Sequence, residues 1–270
     1  MWSKGLGVLL LLTLPALAQV RTNPVTPLVP VVLAPRQHAP IRIRGVRPDG
    51  SVESTNWSGY AVVGSAFTVA KGSWTVPAVN CSKTPNTYSS FWVGIDGYSS
   101  STVEQTGTDS DCSGRTADYY AWYEFYPAGS VLITSVPIAV GNQMSAEVSY
   151  NGSQFTITIT NETTGKSFTK TSSVSGAQRT SAEWIAEAPC CTRRGGILPL
   201  ADFGTVDFGQ DYTNISGTND ATDSSTSGPI SAFGGNVNEI TMVSNSGRDE
   251  AVPSALTSDG TSFDVVWKSE

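Results

Sequence analysis

Apolar and polar side chains alternate in short runs through most of the chain after residue 50. In the clearest run, Phe155, Ile157 and Ile159 are separated by threonines. A period of two places one set of side chains on each face of a β-strand, with the apolar face toward a core. The same criterion predicts strands at residues 56–63, 67–77, 90–96, 117–126, 143–150, 154–160, 167–171, 182–187, 201–208, 239–243 and 263–267.

This pattern predicts an all-β fold. No stretch shows the 3.6-residue period of an amphipathic helix, and Asn151-Gly152 between two runs is a strong hairpin signal. We therefore expect a β-sandwich of two large antiparallel sheets, of the concanavalin-like or jelly-roll type. We expect the polar stretch 211–228 to form a long loop over a groove.

Two runs between residues 91 and 127 have an apolar face and a face that mixes aromatic side chains with carboxylates. Trp92, Gly94 and Asp96 share one face of the first run. Tyr120, Trp122, Glu124 and Tyr126 share one face of the second. A Gly/Ser/Thr-rich stretch, taken as a connection, joins the runs and holds Gln105. Such a mixed face is typical of a groove that binds sugars or peptides.

The first 18 residues have the features of a cleaved signal peptide. Lys4 precedes a short apolar run, which ends in Ala16-Leu17-Ala18. The run is too short to span a bilayer, so we favour cleavage over a membrane anchor and expect a secreted protein without a membrane partner.

Residues 19–50 are Pro-rich and basic, with five arginines, one acidic residue and the only histidine, His38. We expect such a segment to be mobile when alone, and its composition is compatible with either a linker or a propeptide. Residues 51–270 hold ten Lys and Arg against 22 Asp and Glu, a charge of about −12. This contrast favours a basic propeptide that lies on an acidic mature domain and is later removed.

The acidic surface argues against nucleic acid as a partner. Because the domain has few cations and no histidine, it gains little positive charge in acid, and we expect it to tolerate acidic surroundings.

The four cysteines are Cys81, Cys112, Cys190 and Cys191. They allow three disulfide patterns, of which Cys81 with Cys112 is plausible. We expect neither a metal site nor a cofactor.

Without a histidine after residue 50, Ser-His-Asp and Cys-His catalysis are excluded for that region. Carboxylates and amides remain. Glu183 and Glu187 share one strand face, and Asp96, Asp109 and Glu124 lie on the mixed faces. Taken one at a time, each is more typical of a surface acid than of a catalyst. These residues leave open a peptidase, a glycosidase with paired carboxylates, and a binding module with an aromatic groove.

Five motifs in order resemble those of the glutamic peptidases, or eqolisins. They are NWSGY at 56–60, WVGIDG at 92–97, QTGTD at 105–109, AWYEFYP at 121–127 and AEWIAE at 182–187. The resemblance covers residues 54–270. It implies a secreted acid endopeptidase with a Gln–Glu dyad on a β-sandwich, preceded by a signal peptide and a basic propeptide.

Carried over by motif, the dyad is Gln105 and Glu187, with Glu187 preferred to Glu183. The positions that support the dyad or line the cleft are Trp92, Asp96, Asp109, Trp122, Glu124 and Tyr126. The resemblance further implies polypeptide substrates, the chain's own propeptide as a partner, and a monomer. Its disulfides cannot be transferred, because the cysteines differ.

This pair of side chains suits hydrolysis in acid. A glutamate can take a proton from the attacking water, and a glutamine amide can donate to the developing oxyanion. A carboxylate with a pKa near 4 stays charged in mild acid, where a histidine is already protonated.

Overall fold

Antiparallel strands carry almost all the regular structure of the computed structural model, as the alternation predicts. The structure describes residues 1–2, 32–191 and 196–270. In chain order the strands are β1 Ile43–Val46, β2 Val52–Ser54, β3 Trp57–Val63, β4 Val69–Thr75, β5 Ser90–Ile95, β6 Val103–Ser113, β7 Thr116–Tyr126, β8 Val131–Ile133, β9 Gln143–Tyr150, β10 Phe155–Asn161, β11 Lys166–Ser172, β12 Ser181–Glu187, β13 Thr205–Phe208, β14 Asp220–Thr222, β15 Ser227–Pro229, β16 Val237–Val243, β17 Asp249–Pro253 and β18 Phe263–Trp267. The described helices are α1, Gln210–Thr213, and a 3₁₀ helix, Ile230–Asn236.

The front sheet has the strand order β8-β7-β6-β5-β12-β3-β16-β2-β1. Its neighbours are antiparallel, apart from the parallel pair of β16 and β2. Strands β5, β6 and β12 are buried along almost their whole length. The centre of this sheet is therefore covered on both faces.

The back sheet has the order β11-β10-β9-β4-β13-β18-β17, with the β14-β15 hairpin also pairing with β4. Strand β16 of the front sheet also pairs with β17, which connects the two layers at one edge. Together the sheets form the predicted β-sandwich.

The main core lies between the two sheets. Phe91, Val93 and Trp184 of the front sheet pack there with Val148 and Ile157 of the back sheet. All five side chains are fully buried. The alternation placed Ile157 on the apolar side of its strand, and burial of such sides is the main favourable term in folding.

A second buried cluster lies on the opposite face of the front sheet. It includes Trp57, Trp92, Trp122 and Ile185, and Ala34 and Ile41 pack against it. The mixed face predicted from the sequence therefore lies outside the main core, and residues from the basic segment cover it.

Two expectations about local structure were wrong. The stretch that holds Gln105 is not a connection but the strand β6, which pairs with β5 on one side and β7 on the other. Residues 211–228 do not cover the groove. They include most of α1 and β14, and β14 joins the back sheet through β4.

Disulfides link Cys81 to Cys112 and Cys190 to Cys191. The first pair is the one that the sequence made plausible.

Contacts divide the chain into the units Met1–Pro30 and Val31–Glu270, and both sheets belong to the second unit. The predicted signal peptide, residues 1–18, lies outside the described residues except for its first two. Within the described part of the chain, no helix is long and apolar enough to cross a membrane.

Candidate active site

Strand register aligns the candidate side chains in three rows across β12, β5, β6 and β7. The first row is Glu183, Gly94, Gln105 and Glu124; the second is Ile185, Trp92, Gly107 and Trp122; the third is Glu187, Ser90, Asp109 and Tyr120. Residues directly opposite each other in neighbouring strands share a face. Gln105 and Glu187, 82 positions apart in the chain, therefore lie on the same face of the sheet.

Gly107 lies between the two tryptophans of the middle row. A Cβ at this position would come within 2.3 Å of the Phe91 carbonyl oxygen and 2.6 Å of the Trp92 side chain. Only glycine leaves room for this close approach. The two indole rings can therefore flank the centre of the face.

The amide of Gln105 is held by the neighbouring strand. Its Nε2 donates to Oε2 of Glu124 at 3.1 Å and to the main-chain oxygen of His38 at 2.7 Å. Both side chains are fully buried. Because Glu124 accepts one N–H of the amide, the other N–H is directed at the His38 carbonyl.

Glu187 accepts a hydrogen bond from the indole of Trp92, with 2.8 Å between Nε1 and Oε2. No donor among the described residues lies within hydrogen-bond distance of its other oxygen. Burial raises the pKa of Glu187 well above its ordinary value of 4.5, while the charge of His38 opposes the rise and those of Glu124 and Asp109 add to it. Glu187 is thus electrostatically part of the cluster around Gln105.

Glu183 lies on the same face but in a different environment. Burial raises its pKa well above 4.5, and Asp96 and Glu104 are the charges that add to the rise. Glu183 is in register with Gln105 across Gly94, but the charges that raise its pKa differ from those that act on Glu187. The two acids of β12 therefore have different electrostatic surroundings.

Asp109 lies between Ser90 and Tyr120 in the third row. Its Oδ2 accepts from the Tyr120 hydroxyl at 2.8 Å, and its Oδ1 accepts from the Ser90 hydroxyl. The Tyr120 hydroxyl oxygen also lies 3.0 Å from Asp111 Oδ2, and Arg36 pairs with Asp111 at 3.4 Å. Burial, followed by the charge of Asp109, raises the pKa of Asp111 to about 8.

His38 fills the space between these carboxylates. Its ring stacks on Trp122 with 3.5 Å between centroids and 4° between planes. Nδ1 lies 3.2 Å from Glu124 Oε2, and Nε2 lies 3.2 Å from Asp109 Oδ1. Burial alone would lower the pKa of His38, but Asp109 and Glu124 outweigh it and raise the pKa from 6.5 to about 10. The ring is therefore an imidazolium at neutral pH.

The remaining predicted site residues have separate positions. Asp96 accepts from the backbone N–H groups of Gln178, Arg179 and Thr180 at 2.7–3.0 Å, so it holds the entry to β12. Tyr126 is half-buried against the outer aromatic cluster. Asp96 thus acts through the backbone, whereas Tyr126 lies on the cleft face.

Sequence reasoning did not include three residues of this cluster in the site. Ser90 and His38 were not proposed as site residues, and Tyr120 was placed on the face but given no role. The available signal for His38 was its occurrence as the only histidine, between Pro35 and Pro40. Only the packing of the segment onto the sheet links it to Asp109 and Glu124.

Comparisons with known proteins identify the family of this chain. The Peptidase A4 family model matches residues 55–252. Aspergillopepsin-2 of Aspergillus niger is 32% identical over 202 residues, which cover 66% of this chain and 68% of that protein. Scytalidopepsin B of Scytalidium lignicola is 32% identical over 179 residues, or 64% and 66% of the two chains.

Solved structures of glutamic peptidases are similar in fold. Scytalido-glutamic peptidase with a transition state analog inhibitor superposes with a TM-score of 0.65 at 26% identity, over 79% of this chain and 98% of that one. Aspergilloglutamic peptidase from Aspergillus niger gives a TM-score of 0.55 at 28% identity, over 67% and 99%. The chain therefore belongs to the Peptidase A4 family and is a glutamic endopeptidase.

Proposed function

We propose that this chain is the precursor of a secreted acid endopeptidase in which Glu187 is the general base and Gln105 stabilises the oxyanion. The observation that carries the proposal is the hydrogen bond from Gln105 Nε2 to the His38 carbonyl, within the charged cluster that includes Glu187. A main-chain carbonyl on that amide lies where the carbonyl of a scissile peptide would lie.

Each side chain has a role in hydrolysis. Glu187 takes a proton from water as the water attacks the carbonyl carbon, and it returns that proton to the leaving amine. The Gln105 amide donates to the oxygen as negative charge develops on it. Trp92 orients the Glu187 carboxylate through its indole N–H, and Glu124 orients Gln105.

Residues 19–50 are proposed to be the propeptide, which keeps the precursor inactive. The part from residue 32 to residue 42 crosses the cleft, with hydrogen bonds from Ala34 to Ser130, between Gln37 and Cys190, and from Ile41 to Gly97. This cover excludes substrate. Beneath this cover Glu187 is fully buried, and burial raises its pKa, which favours the protonated carboxyl over the general base.

The direct test is to activate the purified full chain in acid, so that residues 19–50 are removed, and then to incubate it in acid with casein and, separately, with a polysaccharide. We expect cleavage of casein only, with no inhibition by pepstatin or by a chelator. Cleavage of the polysaccharide, or inhibition by a chelator, would contradict the proposal.

Substitution identifies the two catalytic side chains. We expect Gln105→Ala to lower kcat on the order of 10²–10³-fold, as for loss of an oxyanion donor, and Glu187→Gln to abolish cleavage. Glu183→Gln is the matched control on the same strand and should retain activity. If Glu183→Gln is the inactivating change, the assignment of the base is wrong.

A further inference from the structure

Asn56 contacts the backbone of the covering segment at the side of the cleft away from β6 and β7. It lies between β2 and β3, and its side chain is fully buried. Its Oδ1 accepts from the backbone N–H of Arg42 at 2.8 Å, and its Nδ2 donates to the carbonyls of Ala39 at 3.4 Å and Pro40 at 3.2 Å. One side-chain amide therefore binds three backbone groups of the segment.

Two further contacts bind the backbone of the same stretch. The Ile41 N–H donates to the carbonyl of Gly97 at 3.1 Å, and the Arg42 carbonyl accepts from the N–H of Thr55 at 3.0 Å. Pro40 has no N–H that would need a partner. Because these contacts are made to the main chain, they do not depend on which side chains the bound peptide carries.

The domain itself holds the Asn56 side chain in this orientation. The Ser54 hydroxyl donates to Asn56 Oδ1 at 3.1 Å, and it accepts from the backbone N–H groups of Asn56 at 3.2 Å and Trp57 at 3.1 Å. Ser54 is also fully buried. These three residues follow residue 50, so their arrangement belongs to the part of the chain that is proposed to remain after the propeptide is removed.

We propose that Asn56 binds the backbone of polypeptide substrates beyond the cleaved bond, with its Oδ1 on the N–H of the fourth residue after the cut. With the carbonyl of His38 on Gln105, Ala39 is the first residue after the bond and Arg42 is the fourth. The enzyme therefore cuts best those substrates that extend four residues past the bond, largely regardless of their sequence there. The proposal rests on the proposed function of Gln105 as the donor to the scissile carbonyl.

The first test compares two peptides on the acid-activated full chain. Both have four residues after the cleaved bond, but in one of them an ester oxygen replaces the N–H of the fourth residue. The ester leaves Asn56 Oδ1 without that donor, and we expect its kcat/KM to be about tenfold lower than that of the all-amide peptide. Equal kcat/KM values for the two peptides in the unaltered enzyme overturn the proposal.

Substitution shows whether Asn56 is the residue that binds this N–H. Asn56→Ala should lower kcat/KM for the all-amide peptide about tenfold and bring the ratio between the two peptides to about one. The matched control is Ser58→Ala in β3, which removes a buried hydrogen bond to the Ala251 carbonyl and should leave the ratio unchanged. If Asn56→Ala also leaves the ratio unchanged, another residue binds the N–H and the proposal is wrong.

A third measurement needs no catalysis and covers the case in which Asn56→Ala does not fold. In the unaltered full chain at pH 6, hydrogen exchange of the Arg42 amide should be on the order of 100-fold slower than its intrinsic rate. Where the variants fold, Asn56→Ala should remove most of this protection and Ser58→Ala should not. If neither peptide is cut, the proposed function fails, and the exchange rates alone decide whether Asn56 binds an extended backbone. Unprotected exchange at Arg42 in the unaltered chain contradicts that contact.

Discussion

Trp92 connects the aromatic cluster to the proposed general base. Its indole N–H is the donor to Glu187 Oε2 at 2.8 Å, and its ring is fully buried against Trp57. A tryptophan in a core needs a partner for its N–H, and here that partner is the carboxylate. The side chain therefore serves packing and orientation together.

We expect Trp92→Phe to lower kcat by about tenfold with little change in KM, because one hydrogen bond to a charged group is lost while the ring remains. The control is Trp184→Phe on the opposite face of the front sheet, where the indole donates to the Lys71 carbonyl. The control should lose stability but retain kcat. Equal kcat values for the two variants would remove the orienting role of Trp92.

Asp96 provides a second test at a single residue. It is fully buried and accepts from three consecutive backbone N–H groups, residues 178–180. Asp96→Asn is expected to lower the free energy of unfolding by about 2 kcal/mol, since charge-assisted hydrogen bonds become neutral ones. Urea denaturation measures the change.

Asp223→Asn is the matched control for that substitution. Asp223 also accepts from two backbone N–H groups, those of Ser225 and Thr226, but in an exposed turn. Asp223→Asn should lower the free energy of unfolding by less than about 1 kcal/mol, because solvent competes for the same donors. Similar losses in both variants would show that burial does not strengthen the Asp96 contacts.

At the scale of elements, the segment of residues 32–42 responds to pH through His38. The pKa of His38 is about 10 in the folded chain and 6.5 when free. A raised pKa means that the interaction is fully present below about 6.5 and is lost as pH rises through about 10. The acidic groups that interact with this ring are Asp109, Asp111, Glu124 and Glu187.

Hydrogen exchange of residues 32–42, corrected for the intrinsic rate, should therefore show full protection at pH 6 and progressive loss toward pH 10. Strand β10 in the back sheet is the internal control, and its protection should change less over the same range. A constant protection factor for the segment would be inconsistent with a charged His38.

At the scale of the whole molecule, several buried acids favour the folded state in acid. Burial, with the charge of Asp96 next, raises the pKa of Glu104 from 4.5 to about 9, and the pKa values of Glu183 and Glu187 are raised in the same way. For a raised carboxyl pKa, the folded state binds more protons than the unfolded state between the two values. The contribution of such a group to stability is then fully present below about pH 4.5 and is lost as pH rises through about 9.

We expect the urea midpoint to be higher at pH 4.5 than at pH 8.5, by the equivalent of a few kcal/mol. Glu104→Gln should flatten this dependence, because an uncharged amide replaces the titrating group. A stability maximum near neutral pH would contradict both this prediction and the acid tolerance expected from composition.

Alternation predicted most of the fold, with element ends within a few residues. The 90–96 run is β5, and the 182–187 run is β12, one residue longer. Strand β6 was missed because its glycines and short polar residues are typical of connections. Pairing with neighbours on both sides, rather than its own propensity, makes it a strand.

The sequence by itself determined which side chains share each strand face, because a period of two depends only on chain geometry. It also determined the order of the motifs and the charge contrast between the basic segment and the acidic domain. Only the tertiary structure decided the order of the strands in the sheet, and therefore that the charges of His38, Glu124 and Asp109 act on Glu187 while those of Asp96 and Glu104 act on Glu183. It alone placed His38 between Asp109 and Glu124, since contacts between residues 71 and 86 positions apart depend on packing rather than on local pattern.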